Sequence, residues 1–176
     1  MDTSCLAGLK IASFETTNLE LVRFVASHGK RTLVSLGQNS ESDMANVLTT
    51  LLELIDRSLI VPMHCISAYP TEEPDANVAV VGRLINMWKG QVGYSDHSDG
   101  WFSACLSLAQ GATVFEKHVT LDRSLEGPDH AFSADPERMK IYVQELHRAA
   151  STLGRDSIMV RPQESFIFEN ARRVSR

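Results

Sequence analysis

Five short apolar segments recur along the chain, and each is nearly continuous rather than alternating between apolar and polar residues. A continuous apolar run rich in β-branched residues is typical of a parallel strand that is buried on both faces. The pattern therefore predicts five buried parallel strands. They span Leu9–Ser13, Thr32–Ser35, Ile60–Ile66, Gln91–Tyr94 and Thr113–Phe115.

The stretches between these segments have the apolar spacing of helices. Two of them begin with the spacing of an N-terminal capping box, at Thr17-x-x-Glu20 and at Ser40-x-x-Asp43. The last helix is predicted to have Asp135 as its cap and Pro136 in its first turn.

The strict alternation of strands and helices predicts an α/β fold with five strand–helix units and right-handed crossovers. Two architectures fit this order, an open doubly wound sheet and part of a (β/α)₈ barrel. The periodicity ends near Arg161. Residues 1–160 are therefore predicted to form the α/β unit, and residues 161–176 a tail or linker.

The composition narrows the functional classes. The chain has 176 residues, 43% of them hydrophobic, and a net charge of -5. This balance argues against nucleic acid as the main partner, because phosphate binding needs a basic surface. No apolar run approaches the ~18–20 residues of a membrane span, and the N-terminus lacks a signal-peptide pattern. Three widely spaced cysteines form no metal or disulfide framework, so we expect a cytoplasmic protein.

Polar residues gather where the predicted strands end. In parallel α/β folds, ligands bind at the carboxyl ends of the strands. Packing gives a buried strand no reason to finish in hydroxyl, carboxylate and imidazole groups, so we expect the functional site there. The residues concerned are Ser13, Glu15, Ser67, Tyr69, Ser95, Asp96, His97, Glu116, Lys117 and His118.

His97 and His118 occupy equivalent positions after two successive strands. Adjacent strands lie about 4.8 Å apart, so two imidazoles there could reach one divalent ion. The alternative is that each is an ordinary hydrogen-bonded histidine at a strand end. No third protein ligand is obvious, and Asp96, Glu116 and Asp129 are the candidate carboxylates near the ion.

Lys10 lies inside an apolar strand, and burial of an ammonium without a partner is costly. Three interpretations remain open. Lys10 forms an internal ion pair with Glu15 or Glu116, anchors a phosphate or carboxylate ligand, or acts as a Schiff-base lysine. Asp129 follows Gly127-Pro128, and is either a turn former or part of a lid over a substrate.

Five motifs, in this order and spacing, resemble the sialic acid synthase family, which includes N-acetylneuraminate synthase and its legionaminate and pseudaminate relatives. The resemblance extends from about Leu9 to Arg173. The motifs are Lys10-Ile-Ala-Ser13-x-Glu15, His64-Cys-x-Ser67-x-Tyr69-Pro70, Gly93-Tyr-Ser95-Asp96-His97, Glu116-Lys117-His118-x-Thr120-Leu-Asp122 and Gly127-Pro128-Asp129-His130.

The resemblance implies a (β/α)₈ barrel enzyme that condenses phosphoenolpyruvate with the open-chain aldehyde of an N-acetylated hexosamine and releases phosphate. It implies that His97 and His118 bind Mn²⁺ or Mg²⁺. It also implies that Lys10, Ser13, Ser67 and Ser95 hold phosphoenolpyruvate, and that Glu15, Tyr69 and Asp129 contact the sugar or the reacting centre. Lys10 and Glu15 are the expected catalytic residues, with Glu15 handling the proton of the water that adds.

The sequence also departs from the family pattern. The family has three strands before the Lys10 strand, and a small antifreeze-like domain after the barrel that contributes to the site of a dimer partner. Ser35-Leu-Gly37-Gln38 replaces the family's common Ser-Thr-Gly-Met. Because five parallel strands cannot close a barrel, we expect this chain alone to be unstable, homo-oligomeric or only partly competent.

Overall fold

Five parallel strands form one sheet in a computed structural model that describes residues 5–171. The strands lie side by side in chain order, β1 to β5, without a reversal. A doubly wound sheet reverses its strand order at a switch point, whereas a barrel adds strands in sequence. The order therefore selects the partial barrel from the two predicted architectures. The strands are β1 (Gly8–Ile11), β2 (Arg31–Ser35), β3 (Ile60–His64), β4 (Gly93–Asp96) and β5 (Val114–Lys117).

Helices follow the strands and cover the convex face of the sheet, where the apolar core lies. Ile11, Val34 and Ile60 from the strands pack there with Val22 and Leu51 from the helices. The helices are α1 (Leu19–Ala26), α2 (Glu41–Leu52), α3 (Ala79–Trp88), α4 (Phe102–Ala109), α5 (Pro136–Leu153) and α6 (Ser165–Asn170). No helix within residues 5–171 combines the length and apolarity that a membrane crossing requires.

The capping signals are confirmed at two of the three helix starts. Ser40 and Asp43 form the complete capping box of α2, and the Asp135 side chain accepts a hydrogen bond from the backbone N–H of Arg138 at the start of α5. The box predicted at Thr17 and Glu20 is wrong. The side chain of Asn18 caps α1 instead, because it accepts from the N–H of Leu21.

The strand boundaries differ from the prediction in a way that matters for the site. Strands β4 and β5 include polar residues that were expected to follow them, and Ser95 pairs with Glu116 while Asp96 pairs with Lys117. Successive side chains in a strand point to opposite faces. Ser95 and Glu116 therefore face the concave side, and Asp96 and Lys117 face the helices.

The expectation of strands buried on both faces holds for only part of the sheet. Strands β3 and β4 are buried along their whole length, whereas the residues of β1 and β5 are mostly half-exposed. Within the described residues, β1 and β5 each have one neighbouring strand, so their outer edges are open. The sheet is strongly curved, because Lys10 on β1 reaches Glu116 on β5 across the concave face.

The C-terminal tail is more ordered than its lack of periodicity suggested. A short 3-10 helix at Pro162–Glu164 leads into α6, whose side chains are exposed. The predicted linker residues Arg172 and Arg173 lie outside the described part of the chain.

Candidate active site

A cavity of about 380 Å³ opens on the concave face at the carboxyl ends of the strands. Every strand, or the residue that follows it, contributes a side chain to the wall. Seven of the nine predicted site residues line this cavity: Lys10, Ser13, Tyr69, Ser95, His97, His118 and Asp129. The fold thus brings residues from all five sequence motifs to one place, with Asp129 representing the fifth motif.

The two histidines lie next to each other in this cavity, as the strand-end argument predicted. The centroids of the His97 and His118 rings are 5.4 Å apart, and the rings meet edge to face. Nδ1 of His97 lies 2.7 Å from the carbonyl oxygen of Ile66 and donates to it, which leaves the Nε2 lone pair for a ligand. Burial lowers the pKa of His97, and the neighbouring His118 lowers it further, so the ring is neutral at neutral pH.

An aromatic wall supports the two imidazoles. The Tyr69 ring lies 4.4 Å from His97 and 5.8 Å from His118, measured between centroids. Phe132 lies 5.1 Å from His118 and 5.4 Å from Tyr69. Burial raises the pKa of Tyr69, so its hydroxyl stays protonated. Packing of this kind restricts how the imidazole rings can turn.

Among the described residues, the histidine pair has a carboxylate near it and would offer an ion few protein ligands. Residues 5–171 contain no group of three or more histidine, cysteine or acidic side chains arranged to hold a metal. The Asp129 carboxylate lies nearest, with Oδ2 3.8 Å from Nδ1 of His118. Two imidazoles would thus leave most positions to water and substrate oxygens.

The proposal of Asp96 as a carboxylate near the ion is wrong. Its side chain points away from the cavity, toward the helices. Oδ1 accepts hydrogen bonds from the backbone N–H and hydroxyl of Ser98, and Oδ2 lies 3.1 Å from Nζ of Lys117. The side chains of Asp96 and Lys117 are 0% and 5% exposed. They form a buried ion pair with a structural role.

Lys10 pairs with Glu116, one of the two acidic partners left open by the sequence. Its Nζ lies 3.3 Å from Oε1 of Glu116, and the same oxygen accepts a 2.7 Å hydrogen bond from the hydroxyl of Ser95. The expectation of a buried ammonium is wrong, because about a third of the Lys10 side chain is exposed to the cavity. The ammonium is therefore accessible to an anionic ligand.

Ser13 and Ser67 flank a glycine that brings two loops together. Ser13 lies in a 3-10 turn after β1, and its hydroxyl accepts a 3.0 Å hydrogen bond from the backbone N–H of Gly37. The same N–H lies 3.2 Å from Sγ of Cys65. A Cβ on Gly37 would stand 2.6 Å from the hydroxyl of Ser67. Ser67 therefore lies close to Gly37, as Ser13 and Cys65 do, but unlike those two residues it does not line the cavity.

Glu15, like Ser67, is a predicted site residue that does not line the cavity. It ends the 3-10 turn that contains Ser13. The neighbouring Phe14 lines the wall instead and is 69% exposed.

Sequence reasoning missed several residues of the wall. Glu116 was considered only as a partner of Lys10 or of a metal, whereas Ser35 and Cys65 were given no role. The Ser35 hydroxyl is buried and has no hydrogen-bond partner among residues 5–171. The position of Ser35 at the carboxyl end of β2 is the signal that could have identified it. Phe132 gave no signal, because a loop has no periodicity.

The model of the NeuB family matches residues 2–157 of the chain. The chain is 38% identical to the N,N'-diacetyllegionaminic acid synthase of Legionella pneumophila, over 83% of this chain and 42% of that protein. It is also 38% identical to a pseudaminic acid synthase of Campylobacter jejuni, over 82% of this chain and 42% of that protein.

The fold also matches a solved structure. The crystal structure of a sialic acid synthetase from Leptospira borgpetersenii aligns with a TM-score of 0.86 at 33% identity, and the alignment covers 94% of this chain and 57% of that one. The chain therefore spans about half the length of the relatives it matches.

Proposed function

The chain belongs to the NeuB family, and from that premise we propose that it supplies the cation- and substrate-binding part of a nonulosonic acid synthase. The proposed reaction joins the enol carbon of phosphoenolpyruvate to the aldehyde carbon of an N-acetylated hexosamine. Water then adds at the carbon that carries the phosphate, and the bond from that carbon to the phosphate oxygen breaks to release phosphate.

The observation that carries this proposal is the position of one ammonium and two imidazoles around a single cavity. Lys10, His97 and His118 all line it, although 108 positions separate the first from the last in the sequence. One substrate of the proposed reaction is a multiply charged anion and the other is a neutral aldehyde. An ammonium beside a pair of imidazoles suits that combination.

The anion-binding side of the cavity is formed by Lys10, Ser13 and Ser95. The ammonium and the hydroxyls bind the phosphate and carboxylate groups of phosphoenolpyruvate, and so convert a bimolecular collision into a positioned reaction. Glu116 holds Lys10 and Ser95 through one oxygen, which fixes the donors before the substrate arrives. Tyr69 and Asp129 then contact the sugar.

The aldehyde side is formed by the histidine pair. Mn²⁺ or Mg²⁺ held by His97 and His118 would supply a Lewis acid for the aldehyde oxygen. The carbonyl of Ile66 keeps His97 in the tautomer that offers Nε2, and the rings of Tyr69 and Phe132 limit the access of water. Glu15 remains our proposed carrier of the proton from the adding water, and it must rotate toward the cavity to do so.

Phosphate release tests this function. The chain is mixed with phosphoenolpyruvate, Mn²⁺ and N-acetylmannosamine, and inorganic phosphate is measured over time. We expect release that depends on both substrates and is lost when His97 and His118 are both changed to Asn. His28→Asn is the matched control, because His28 lies at the end of α1 and bonds only locally, to the carbonyl of Phe24. Release that persists in the double variant would overturn the proposed roles of the two histidines.

A Schiff-base aldolase is the alternative that uses Lys10 as a nucleophile. The 3.3 Å contact with Glu116 favours an anion-binding ammonium over a nucleophilic amine. Borohydride treatment in the presence of pyruvate separates the two chemistries. We expect no adduct, and a pyruvyl adduct on Lys10 would overturn the cation-assisted mechanism.

A binding unit without turnover of its own is the second candidate function. The open edges of β1 and β5 favour it, since the cavity wall is built here from five strands. Mn²⁺ binding without phosphate release would support this function, in which the chain requires further barrel strands from a separate polypeptide.

A further inference from the structure

The connection after β5 forms a loop that closes on itself at its base. Residues 118–134, here called the β5 loop, begin at His118. The backbone N–H of Thr120 donates to the carbonyl of Ala134, and the N–H of Ala134 donates to the carbonyl of His118, both at 2.9 Å. These two hydrogen bonds fix the ends of the loop but leave the residues between Thr120 and Ala134 to be held by other contacts.

The tip of the β5 loop brings two side chains to the histidine pair. Asp129 places Oδ2 3.8 Å from Nδ1 of His118, and the Phe132 ring packs against His118 and Tyr69. The backbone between these residues is folded tightly, because both the N–H and the hydroxyl of Ser133 donate to the carbonyl of Asp129. The position of this turn decides where Asp129 and Phe132 lie beside His118.

Arg123 joins this turn to another loop of the site. Its Nε donates to the carbonyl of Ala131 at 2.8 Å, and Nη2 donates to the same oxygen. On its other side, Nη1 lies 3.4 Å from Oδ1 of Asp99, which follows His97 by two residues. The Arg123 side chain is 25% exposed. One guanidinium therefore spans the loops that carry the two imidazoles.

Asp99 is held in place from a second direction. Nη1 of Arg138, in the first turn of α5, lies 2.6 Å from the same Oδ1. Arg138 thus anchors Asp99 to a helix, whereas Arg123 transmits that position to the β5 loop. The two arginines share one carboxylate, but only Arg123 has a hydrogen bond to the turn at Ala131.

We propose that Arg123 is a positioning residue for the histidine site, and that it acts by clamping the β5 loop to Asp99. The proposal rests on the proposed function for its consequence in catalysis, but the clamp itself is independent of turnover. The planar guanidinium is essential to the clamp. Nε and Nη2 donate to the carbonyl of Ala131, while Nη1 forms the ion pair with Asp99. A lysine has one ammonium on a flexible stem and satisfies one of these partners at a time.

Hydrogen exchange measured by mass spectrometry tests the clamp in the full chain. We expect Arg123→Ala to increase the exchange rate of the β5 loop amides by roughly ten-fold, because charge-assisted hydrogen bonds are lost. Arg123→Lys should give a smaller increase. Asp99→Asn should act through the same contact, so the double variant with Arg123→Ala should exchange little faster than Arg123→Ala alone.

Arg138→Ala is the matched control, since it removes a guanidinium from the same carboxylate without touching the β5 loop. We expect this variant to accelerate the exchange of the loop much less than Arg123→Ala does, because Arg123 still joins Asp99 to the carbonyl of Ala131. Equal acceleration in both arginine variants, or no acceleration in Arg123→Ala, would overturn the clamp. Hydrogen exchange gives either result whether or not the chain releases phosphate.

Kinetics separate positioning from general stability. In a preparation that releases phosphate from both substrates, Arg123→Ala should raise the KM for the hexosamine about ten-fold, because the β5 loop borders the histidine side of the cavity. The KM for phosphoenolpyruvate should stay near the wild-type value. Arg123→Lys should restore part of the loss. A change of similar size in both KM values contradicts the assignment.

Discussion

Gly37 lies at the point where three polar side chains meet, two of which line the cavity. A Cβ there would stand 2.6 Å from the Ser67 hydroxyl, 2.7 Å from Cys65 Sγ and 3.1 Å from the Ser13 hydroxyl. We expect Gly37→Ala to lower the free energy of unfolding by about 1–3 kcal/mol, because side chains must shift in a packed site. Urea denaturation measures the loss. Gly100→Ala is the control, since a Cβ on Gly100 meets nothing within 4 Å, and an equal loss in both variants contradicts the argument.

His64 couples the stability of the sheet to pH. Burial lowers the pKa of His64 below its ordinary 6.5, although its hydrogen bond to the carbonyl of Ala76 opposes the shift. The unfolded chain therefore binds more protons than the folded chain as the pH falls through 6.5. The free energy of unfolding decreases in that direction.

Urea denaturation at pH 7.5 and at pH 5.5 checks this coupling. We expect His64→Gln to reduce the difference between the two values. A residual difference is expected from His97, whose pKa burial also lowers. The exposed His147 serves as the control through His147→Gln. An unchanged pH dependence in His64→Gln would show that His64 is not the source.

The sequence predicted which residues lie near the cavity better than it predicted which charged side chains face into it. Strand-end position was sufficient to select Ser95, His97 and His118, because the carboxyl ends of parallel strands meet at one edge. It was not sufficient to tell Asp96 from Glu116. A one-residue shift in a strand end reverses the face of each side chain. Only the register shows that Glu116 faces the cavity and Asp96 does not.

At the scale of elements, the Asp96–Lys117 pair joins β4 to β5 on the side of the helices. Lys117 also donates to the carbonyls of Ser98 and Gly100, so each of its three ammonium N–H groups has a protein acceptor. We expect Lys117→Met to cost about 3–5 kcal/mol of unfolding free energy, because it leaves a buried carboxylate without its partner. Adding Asp96→Asn should recover part of this loss.

The double-mutant cycle is measured by urea denaturation. Lys10→Met is the matched control, since its ion pair with Glu116 is about one-third exposed and should contribute at most about 1 kcal/mol. If the losses of unfolding free energy in the Asp96→Asn and Lys117→Met single variants add up in the double variant, the two charges do not stabilise each other.

Element types were predictable from local pattern, whereas exposure was not. The apolar runs identified all five strands, and Asp135-Pro136 identified the start of α5. The same runs predicted burial on both faces of every strand. Burial depends on what lies beside a strand, and β1 and β5 have open edges among the described residues. Such tertiary information is absent from a window of ten residues.

At the scale of the whole molecule, open edges on β1 and β5 favour self-association. Unpaired N–H and C=O groups at a sheet edge pair readily with another chain, and the exposed Phe14 lies in the 3-10 turn that follows β1. We expect sedimentation velocity to show species larger than a monomer at micromolar concentrations, and Phe14→Ser to reduce them. Met87→Ser, on α3 over the middle of the sheet, is the control. A monomer at every concentration contradicts this expectation.

In the proposed function, His97 and His118 bind one divalent cation together in the cavity that contains Lys10. Electron paramagnetic resonance of a Mn²⁺ titration measures the number of bound ions and their affinity directly. We expect one Mn²⁺ per chain, with affinity at least about ten-fold weaker in His97→Asn and in His118→Asn, and unchanged in His28→Asn. Mn²⁺ binding that is equally tight in the His97→Asn/His118→Asn double variant would contradict the claim.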